Sequence, residues 1–105
     1  MQITLRALKK EDVNSVFDME HRCFTVPWSY EGIYKDIVEN EFAIYIGAFE
    51  EEKLLGYAGM WLIIDEAHIT NIAVDPQERR KGIGRKMLHG LMDIAKKMGA
   101  DAMTL

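Results

Sequence analysis

The sequence of 105 residues holds one cysteine, two prolines and no long apolar run. The single Cys23 cannot form an internal disulfide, which favours a reducing, cytoplasmic setting. The longest uncharged stretch, residues 54–64, is far shorter than the ~20 residues that a membrane span needs. The first residues show no basic segment followed by an apolar run, so no secretory signal is predicted. We therefore expect a cytoplasmic protein without a membrane partner.

Positive charge is scarce in most of the chain. Acidic residues far outnumber basic ones between Glu11 and Glu66, whereas basic residues dominate between Arg79 and Lys97. With a net charge of −4, the chain is a poor candidate for nucleic-acid binding. The basic segment suits a small anion and the acidic part suits a cationic substrate. Charge alone leaves open that both are ordinary solvated faces.

Apolar spacing predicts one α/β domain with the element order βααβββαβ. Two short turns between the middle strands imply an antiparallel meander, and the last strand–helix–strand unit implies a parallel crossover. Gly56 or Gly59 could mark a bulge in the long middle strand. The predicted elements are a strand over 3–7, a helix over 13–24, a helix capped by Ser29, strands over 42–49, 54–64 and 67–74, a helix from Gly82 to Gly99, and a strand over 101–105.

The last predicted strand, Asp101 to Leu105, reads as a strand entering the core. A buried strand that is cut short leaves backbone groups unpaired and a sheet edge uncovered. We therefore expect that the 105 residues are a fragment, or that another chain completes the fold. A homodimer through the uncovered edge is one such arrangement.

Residues 71–85 contain the chemically informative pattern, a strand followed by a glycine-containing loop and a helix start. Backbone N–H groups and the helix dipole converge on one spot in such an arrangement. Gly82 and Gly84 allow close approach of a phosphate because they have no Cβ. The surrounding cations are Arg79, Arg80, Lys81 and Arg85. The pattern favours a pyrophosphate-bearing ligand, although two glycines can also simply form a tight turn.

Two common phosphate motifs are excluded. A Walker loop requires a Gly-Lys-Ser/Thr ending that the segment lacks. The dinucleotide fingerprint requires a third glycine where Met87 stands.

The spacing Arg79-x-x-Gly82-x-Gly84 instead resembles the Gln/Arg-x-x-Gly-x-Gly/Ala motif of the GNAT superfamily of N-acetyltransferases. Within it, Pro27-Trp28-Ser29 and residues 71–76 look most like the ribosomal-protein-alanine N-acetyltransferase group. The element order resembles the first two thirds of that fold. The resemblance implies a mixed, mostly antiparallel central sheet flanked by helices, with the C-terminal part of the fold missing. Residues 1–105 would then form a single, incomplete N-acetyltransferase domain.

The resemblance implies acetyl-coenzyme A as the cofactor. The loop backbone would hold the pyrophosphate, and the end of the fourth strand would pair with the pantetheine arm like an added strand. The implied cofactor-binding residues are Ile72, Ala73, Val74, Arg79, Arg80, Lys81, Gly82, Ile83, Gly84 and Arg85.

The reaction implied is acetyl transfer to an amine, such as the N-terminal amine of a ribosomal protein. The alternatives are a small-molecule amine as acceptor, or a coenzyme-A-binding fragment without catalysis. Trp28 and Tyr30 lie where the family lines its acceptor groove, with Glu31 or Asp36 near enough to attract the ammonium. A large aromatic such as Trp28 could equally belong to the core.

Catalytic residues are not assigned within the chain. The family group places its glutamate base just beyond Leu105 and its tyrosine acid further on. His68 is the weak candidate inside the chain, because strand alternation would place it on one face with Thr70, Ile72 and Val74. The other interpretation is an ordinary strand histidine. No metal site is predicted.

Overall fold

The computed structural model describes residues 2–104 and confirms the predicted element order. Leu105, the last residue of the predicted final strand, lies outside the described residues. The elements are β1 (Thr4–Ala7), α1 (Val13–Cys23), α2 (Tyr30–Tyr34), β2 (Ala43–Glu50), β3 (Lys53–Ile63), β4 (Glu66–Val74), α3 (Ile83–Lys97) and β5 (Ala102–Thr104). A 3-10 turn over Lys10–Asp12 precedes α1, and a π-helical turn over Lys35–Glu39 extends α2.

The five strands form one sheet in the order β1-β2-β3-β4-β5. Pairing is antiparallel from β1 to β4 and parallel between β4 and β5, which confirms the mostly antiparallel sheet. The strand β5 pairs only with residues 66–68, at the start of β4.

Each face of the sheet has its own apolar core. The helix α3 covers one face through Ile83, Met87, Leu91 and Ala95, which pack with sheet residues such as Leu55 and Met60. The helices α1 and α2 cover the opposite face, where Val13, Val16, Met19 and Ile33 pack with Tyr45 and Tyr57. The periodic apolar positions of the sequence therefore define the two helical layers.

The helix boundaries follow local chemistry. The chain leaves α1 at Phe24, whose backbone is extended, so Phe24 lies just past the helix that spacing predicted to include it. The predicted N-cap of α2 is confirmed, because the Ser29 hydroxyl accepts a hydrogen bond from the Gly32 N–H at 3.0 Å.

A β-bulge in β4 sets the geometry around the site. Gly59 pairs with Asn71 and Met60 pairs with Ile69, which leaves Thr70 as an extra residue. The bulge predicted within the long middle strand lies beside Gly56, because Ala48 pairs with Gly56 and Phe49 with Leu54, which leaves Leu55 as an extra residue of β3. Gly59 instead lies opposite the bulge in β4. A Cβ at Gly59 would overlap the Tyr45 ring, which lies directly over this glycine. The absence of a side chain at Gly59 therefore lets Tyr45 lie beside the bulge.

Within residues 2–104 no helix is both long and apolar enough to cross a bilayer. The same residues contain no group of three or more His, Cys, Asp or Glu side chains placed to hold a metal ion.

Gly59→Ala should destabilise the fold, because the new methyl group overlaps the Tyr45 ring. Overpacking of this kind costs about 1–3 kcal/mol. Urea unfolding monitored by tryptophan fluorescence measures the loss. The matched control is Gly84→Ala, whose Cβ meets only Val74 Cγ2 at 3.7 Å. Equal stabilities for the two variants would contradict the packing of Tyr45 over Gly59.

Candidate active site

The loop between β4 and α3 is built to expose its backbone. Asp75 follows β4 and accepts a hydrogen bond from the Gln77 N–H at 3.0 Å, which starts a 3-10 turn over Pro76–Glu78. Arg80 and Gly82 then adopt left-handed φ values of 69° and 79°. These two residues curl the chain into the first turn of α3, with Gly82 as its N-cap.

The start of α3 offers a run of free hydrogen-bond donors. Among residues 2–104, no acceptor is found for the backbone N–H groups of residues 80–85. The first N–H groups of a helix lack internal partners and carry the positive end of its dipole. Space beside Gly84 is open, because a Cβ there would touch only Val74 at 3.7 Å. The geometry suits a bound anion.

The four predicted cations divide into two kinds. Arg79 folds back onto β4, where its Nε donates to the Val74 carbonyl at 3.3 Å. Lys81 pairs with Glu78 at 2.8 Å. Arg80 and Arg85 form no ion pair with any of residues 2–104. Arg80 and Arg85 are therefore the side chains of this group that remain available to an anion.

An ion pair between a buried carboxylate and a partly exposed arginine fixes the start of this loop. Asp75 is 5% exposed, and its Oδ2 lies 2.6 Å from Arg22 Nη1 at the end of α1. The hydrogen bond from the Gln77 N–H, and then the Arg22 guanidinium, lower the pKa of Asp75 below its ordinary value. The pair thus ties α1 to the point where β4 becomes the loop.

The outer edge of β4 is open beside the loop. The strand β5 covers only residues 66–68, so no strand among the described residues covers the edge from Ile69 to Val74. The Val74 carbonyl points to that edge, because it accepts from Cys23 Sγ at 3.4 Å and from Arg79. Strand alternation directs the backbone of Ile72 the same way and that of Ala73 toward β3. The backbone of Ile72 is therefore free for an extended ligand.

A cavity of about 280 Å³ lies next to the bulge. It is lined by Glu20, Phe24, Val26, Trp28, Thr70, Asn71 and Ile72. The structure therefore brings Trp28 together with Ile72 of the predicted cofactor edge. It does not place Tyr30 there, because Tyr30 packs against Phe17 and Tyr34 instead.

Glu20 is a site residue that the sequence analysis missed. Its carboxylate, 2% exposed at residue level, accepts hydrogen bonds from the Tyr57 hydroxyl and from the Trp28 N–H, the latter at 3.0 Å. The carboxylate thereby holds the α1–α2 linker beside β4. A signal existed in the sequence, since Glu20 stands four residues after Val16 on the apolar face of α1.

Neither acidic residue expected to attract an ammonium lines the cavity. Glu31 is exposed and pairs with Lys35 at 3.0 Å, one helical turn away. Asp36 is buried and accepts hydrogen bonds from Tyr45, Asn40 and Trp61. Helix geometry directs Glu31 to solvent and Asp36 into the protein, so neither side chain reaches this cavity.

The expected position of His68 also needs correction. The extra residue Thr70 reverses the alternation, so Ile69 before the bulge and Ile72 after it both join the α3-side core. His68 therefore does not share a face with Ile72 and Val74. Its Nδ1 lies 2.9 Å from Thr104 Oγ1 on β5, and His68 does not line the cavity.

Comparison with known proteins identifies the family. The model of the acetyltransferase (GNAT) family matches residues 13–105. The chain is 32% identical to a Bacillus subtilis candidate ribosomal protein bS18-alanine N-acetyltransferase, over 96% of this chain and 67% of that protein. It is 31% identical to the Escherichia coli K12 ribosomal protein bS18-alanine N-acetyltransferase, over 97% of this chain and 68% of the relative. The chain belongs to the acetyltransferase (GNAT) family.

Solved structures agree with this assignment. The crystal structure of the Escherichia coli bS18-alanine N-acetyltransferase has a TM-score of 0.87 and 29% identity, covering 94% of this chain and 63% of that one. The Thermoplasma acidophilum PaiA N-acetyltransferase, solved with coenzyme A, has a TM-score of 0.85 and 22% identity, covering 94% of this chain and 75% of that one. The chain thus spans about two thirds of its bS18-directed relatives, and its fold is the GNAT fold.

The Asp75 ion pair should make stability depend on acid pH. A lowered pKa in the folded protein means that Asp75 stabilises the fold above its ordinary pKa of about 3.9, and that this contribution is lost as pH falls through the lower folded value. The free-energy difference between the native protein and Asp75→Asn should therefore be largest at neutral pH and shrink below about pH 4.

Urea unfolding at pH 7, 5, 4 and 3 measures this difference. Asp18→Asn is the matched control, because Asp18 also pairs with Arg22 but its side chain is 74% exposed. A pH-independent difference for Asp75→Asn would show that the carboxylate is not selectively stabilised as a charge.

Proposed function

We propose that this chain binds acetyl-coenzyme A and contributes the cofactor site of an N-acetyltransferase. The observation that carries the proposal is the run of free N–H groups at residues 80–85, continuous with the open edge of β4 at Ile72 and Val74. Phosphate oxygens accept hydrogen bonds from such N–H groups. The amides of pantetheine can pair with strand backbone. The family match supports the same ligand.

The proposed acceptor is an N-terminal amine of a protein. The relatives are named as N-acetyltransferases of an alanine of ribosomal protein bS18, and we extend that type of acceptor to this chain. The cavity between Trp28 and the β4 bulge supports this assignment, because it adjoins the edge proposed for pantetheine through Ile72. Its volume of about 280 Å³ is sufficient for the first residue of a peptide.

In the proposed reaction the neutral amine nitrogen attacks the thioester carbonyl. The C–N bond would form, the C–S bond would break, and the proton lost by the amine nitrogen would balance the proton gained by the leaving thiolate. The chain's role is to position the thioester along β4 and to hold the amine in the cavity, which lowers the entropic barrier of the reaction. A backbone N–H on the open edge at Ile72 or Val74 is suited to stabilise the developing oxyanion.

Gly84→Val should weaken coenzyme A binding by at least about tenfold, equivalent to ~1.4 kcal/mol. The branched side chain fills the open space in which the phosphate is proposed to lie. Isothermal titration calorimetry with coenzyme A measures the affinity.

Two control variants sharpen this test. Gly84→Ala adds only a methyl group and should have a smaller effect, while Lys53→Ala removes an exposed cation on β3 and should bind normally. Unchanged affinity in Gly84→Val, with the fold intact by circular dichroism, would remove the phosphate site from this loop.

His68→Gln should change the acetylation rate of an alanine-starting peptide by less than about threefold. Removal of a general base normally costs about 10²–10⁴-fold, whereas His68 contacts Thr104 and lies outside the cavity. The measurement is the pH–rate profile of the variant and of the native protein. A loss of 10²-fold or more, with disappearance of the limb near the ordinary histidine pKa, would make His68 the base.

A further inference from the structure

A buried hydrogen-bond network connects α2 to the β4 bulge. Asp36, at the start of the π-helical turn, accepts from Asn40 Nδ2 at 2.8 Å and from Trp61 Nε1 at 3.0 Å. It also accepts from the Tyr45 hydroxyl. An indole nitrogen can only donate, and an amide nitrogen does the same. Both carboxylate oxygens of Asp36 therefore act as acceptors.

The Tyr45 hydroxyl has a single hydrogen, and Asp36 takes it. Burial, and then the hydrogen bond to Asp36, raise the pKa of Tyr45 above its ordinary value, so the phenol stays protonated. The oxygen of Tyr45 is consequently left as an acceptor toward its other neighbours.

Those neighbours are Thr70 and Asn71 in the bulge. The structure places Asn71 Oδ1 3.2 Å from Tyr45 Oη and 2.8 Å from Thr70 Oγ1. The two amide orientations of an asparagine have the same shape, and the hydrogen-bond network decides between them. Tyr45 has no second hydrogen to donate, so Nδ2 belongs at this position. Its two hydrogens satisfy the oxygens of both Tyr45 and Thr70.

This orientation turns the Asn71 carbonyl oxygen away from Tyr45. Asn71 lines the cavity beside Trp28 and Glu20, and its second amide atom has no partner among residues 2–104. In this orientation the cavity wall presents a hydrogen-bond acceptor, close to the Glu20 carboxylate and the Trp28 ring. A group that donates hydrogen bonds, such as an amine or ammonium, fits that wall.

We propose that Asn71 is a specificity-determining residue whose side-chain carbonyl accepts a hydrogen bond from the amine of the acceptor. The proposal rests on the proposed function, because it assigns the cavity to the acceptor. Tyr45 and Asp36 are positioning residues in this scheme. They orient the Asn71 side-chain amide so that its oxygen, and not its nitrogen, faces the substrate.

The orientation can be tested without any ligand. In a ¹H–¹⁵N spectrum, the Asn71 side-chain NH₂ signals are those lost in Asn71→Ala. Tyr45→Phe removes the acceptor oxygen, so these signals should shift and exchange faster with water in that variant. If the chemical shifts and exchange rates of these signals are unchanged in Tyr45→Phe, the NH₂ group faces the cavity and the proposal is overturned. Tyr34→Phe is the control, because Tyr34 lies on α2 and forms no side-chain hydrogen bond to Asn71.

The role in recognition is tested with two peptides on the coenzyme-A-loaded chain. One starts with alanine, and the other starts with a propionyl group, which lacks only the amine. The native protein should bind the amine peptide about tenfold more tightly, the value of one charge-assisted hydrogen bond of ~1.4 kcal/mol. Asn71→Ala should lose that preference and bind both peptides alike, while Asn14→Ala, an exposed asparagine on α1, should keep it.

The outcomes separate the two proposals. Failure of the native chain to bind coenzyme A would count against the proposed function, whereas the Asn71 amide signals would still report the orientation. Normal coenzyme A binding with equal affinity of the native chain for both peptides would overturn the role of Asn71. An equal loss of affinity for both peptides in Asn71→Ala would overturn it as well, because that result indicates an N–H donor facing the cavity.

Discussion

The extra residue in β4 is the constraint on which the site depends. If Thr70 were paired as a regular strand residue, alternation would place Asn71 on the α3 side and Ile72 on the side of α1 and α2. Because Thr70 is instead bulged, Ile69 and Ile72 both pack against α3, and Asn71 turns to the opposite face. The bulge therefore adds Thr70 beside Asn71 at the cavity, while Ile69 and Ile72 keep their places in the α3 core.

The bulge in turn depends on room supplied by β3. Gly59 lies opposite Asn71, and the Tyr45 ring covers the space that a side chain at Gly59 would fill. Tyr45 brings its hydroxyl to Thr70 and Asn71 because of that space. Position 59 is therefore restricted to glycine by packing, even though its backbone conformation does not require one.

Much of this architecture could be predicted from the sequence. The structure contains the elements that local sequence patterns predict. These patterns are the helical spacing around Val16 and Met87, the turn residues between strands, and the Arg79-x-x-Gly82-x-Gly84 loop. The face of His68 could not be predicted, because the reversal at Thr70 depends on cross-strand register that no local pattern contains. The same holds for Asp36, whose three partners come from the residue after the π-helical turn, from β2 and from β3.

Two of the buried carboxylates, Glu20 and Asp36, explain why the helical layer has a defined position over the sheet. Apolar contacts such as those of Val13 and Ile33 favour burial but tolerate small displacements. Hydrogen bonds do not, since a buried carboxylate that loses a donor is strongly destabilised. Glu20 is held by Tyr57 of β3, and Asp36 is held by Tyr45 of β2. Glu20 thus fixes α1 relative to β3, and Asp36 fixes the end of α2 relative to β2. Because Glu20 also lines the cavity between Trp28 and the bulge, its hydrogen bonds hold that wall of the cavity in position.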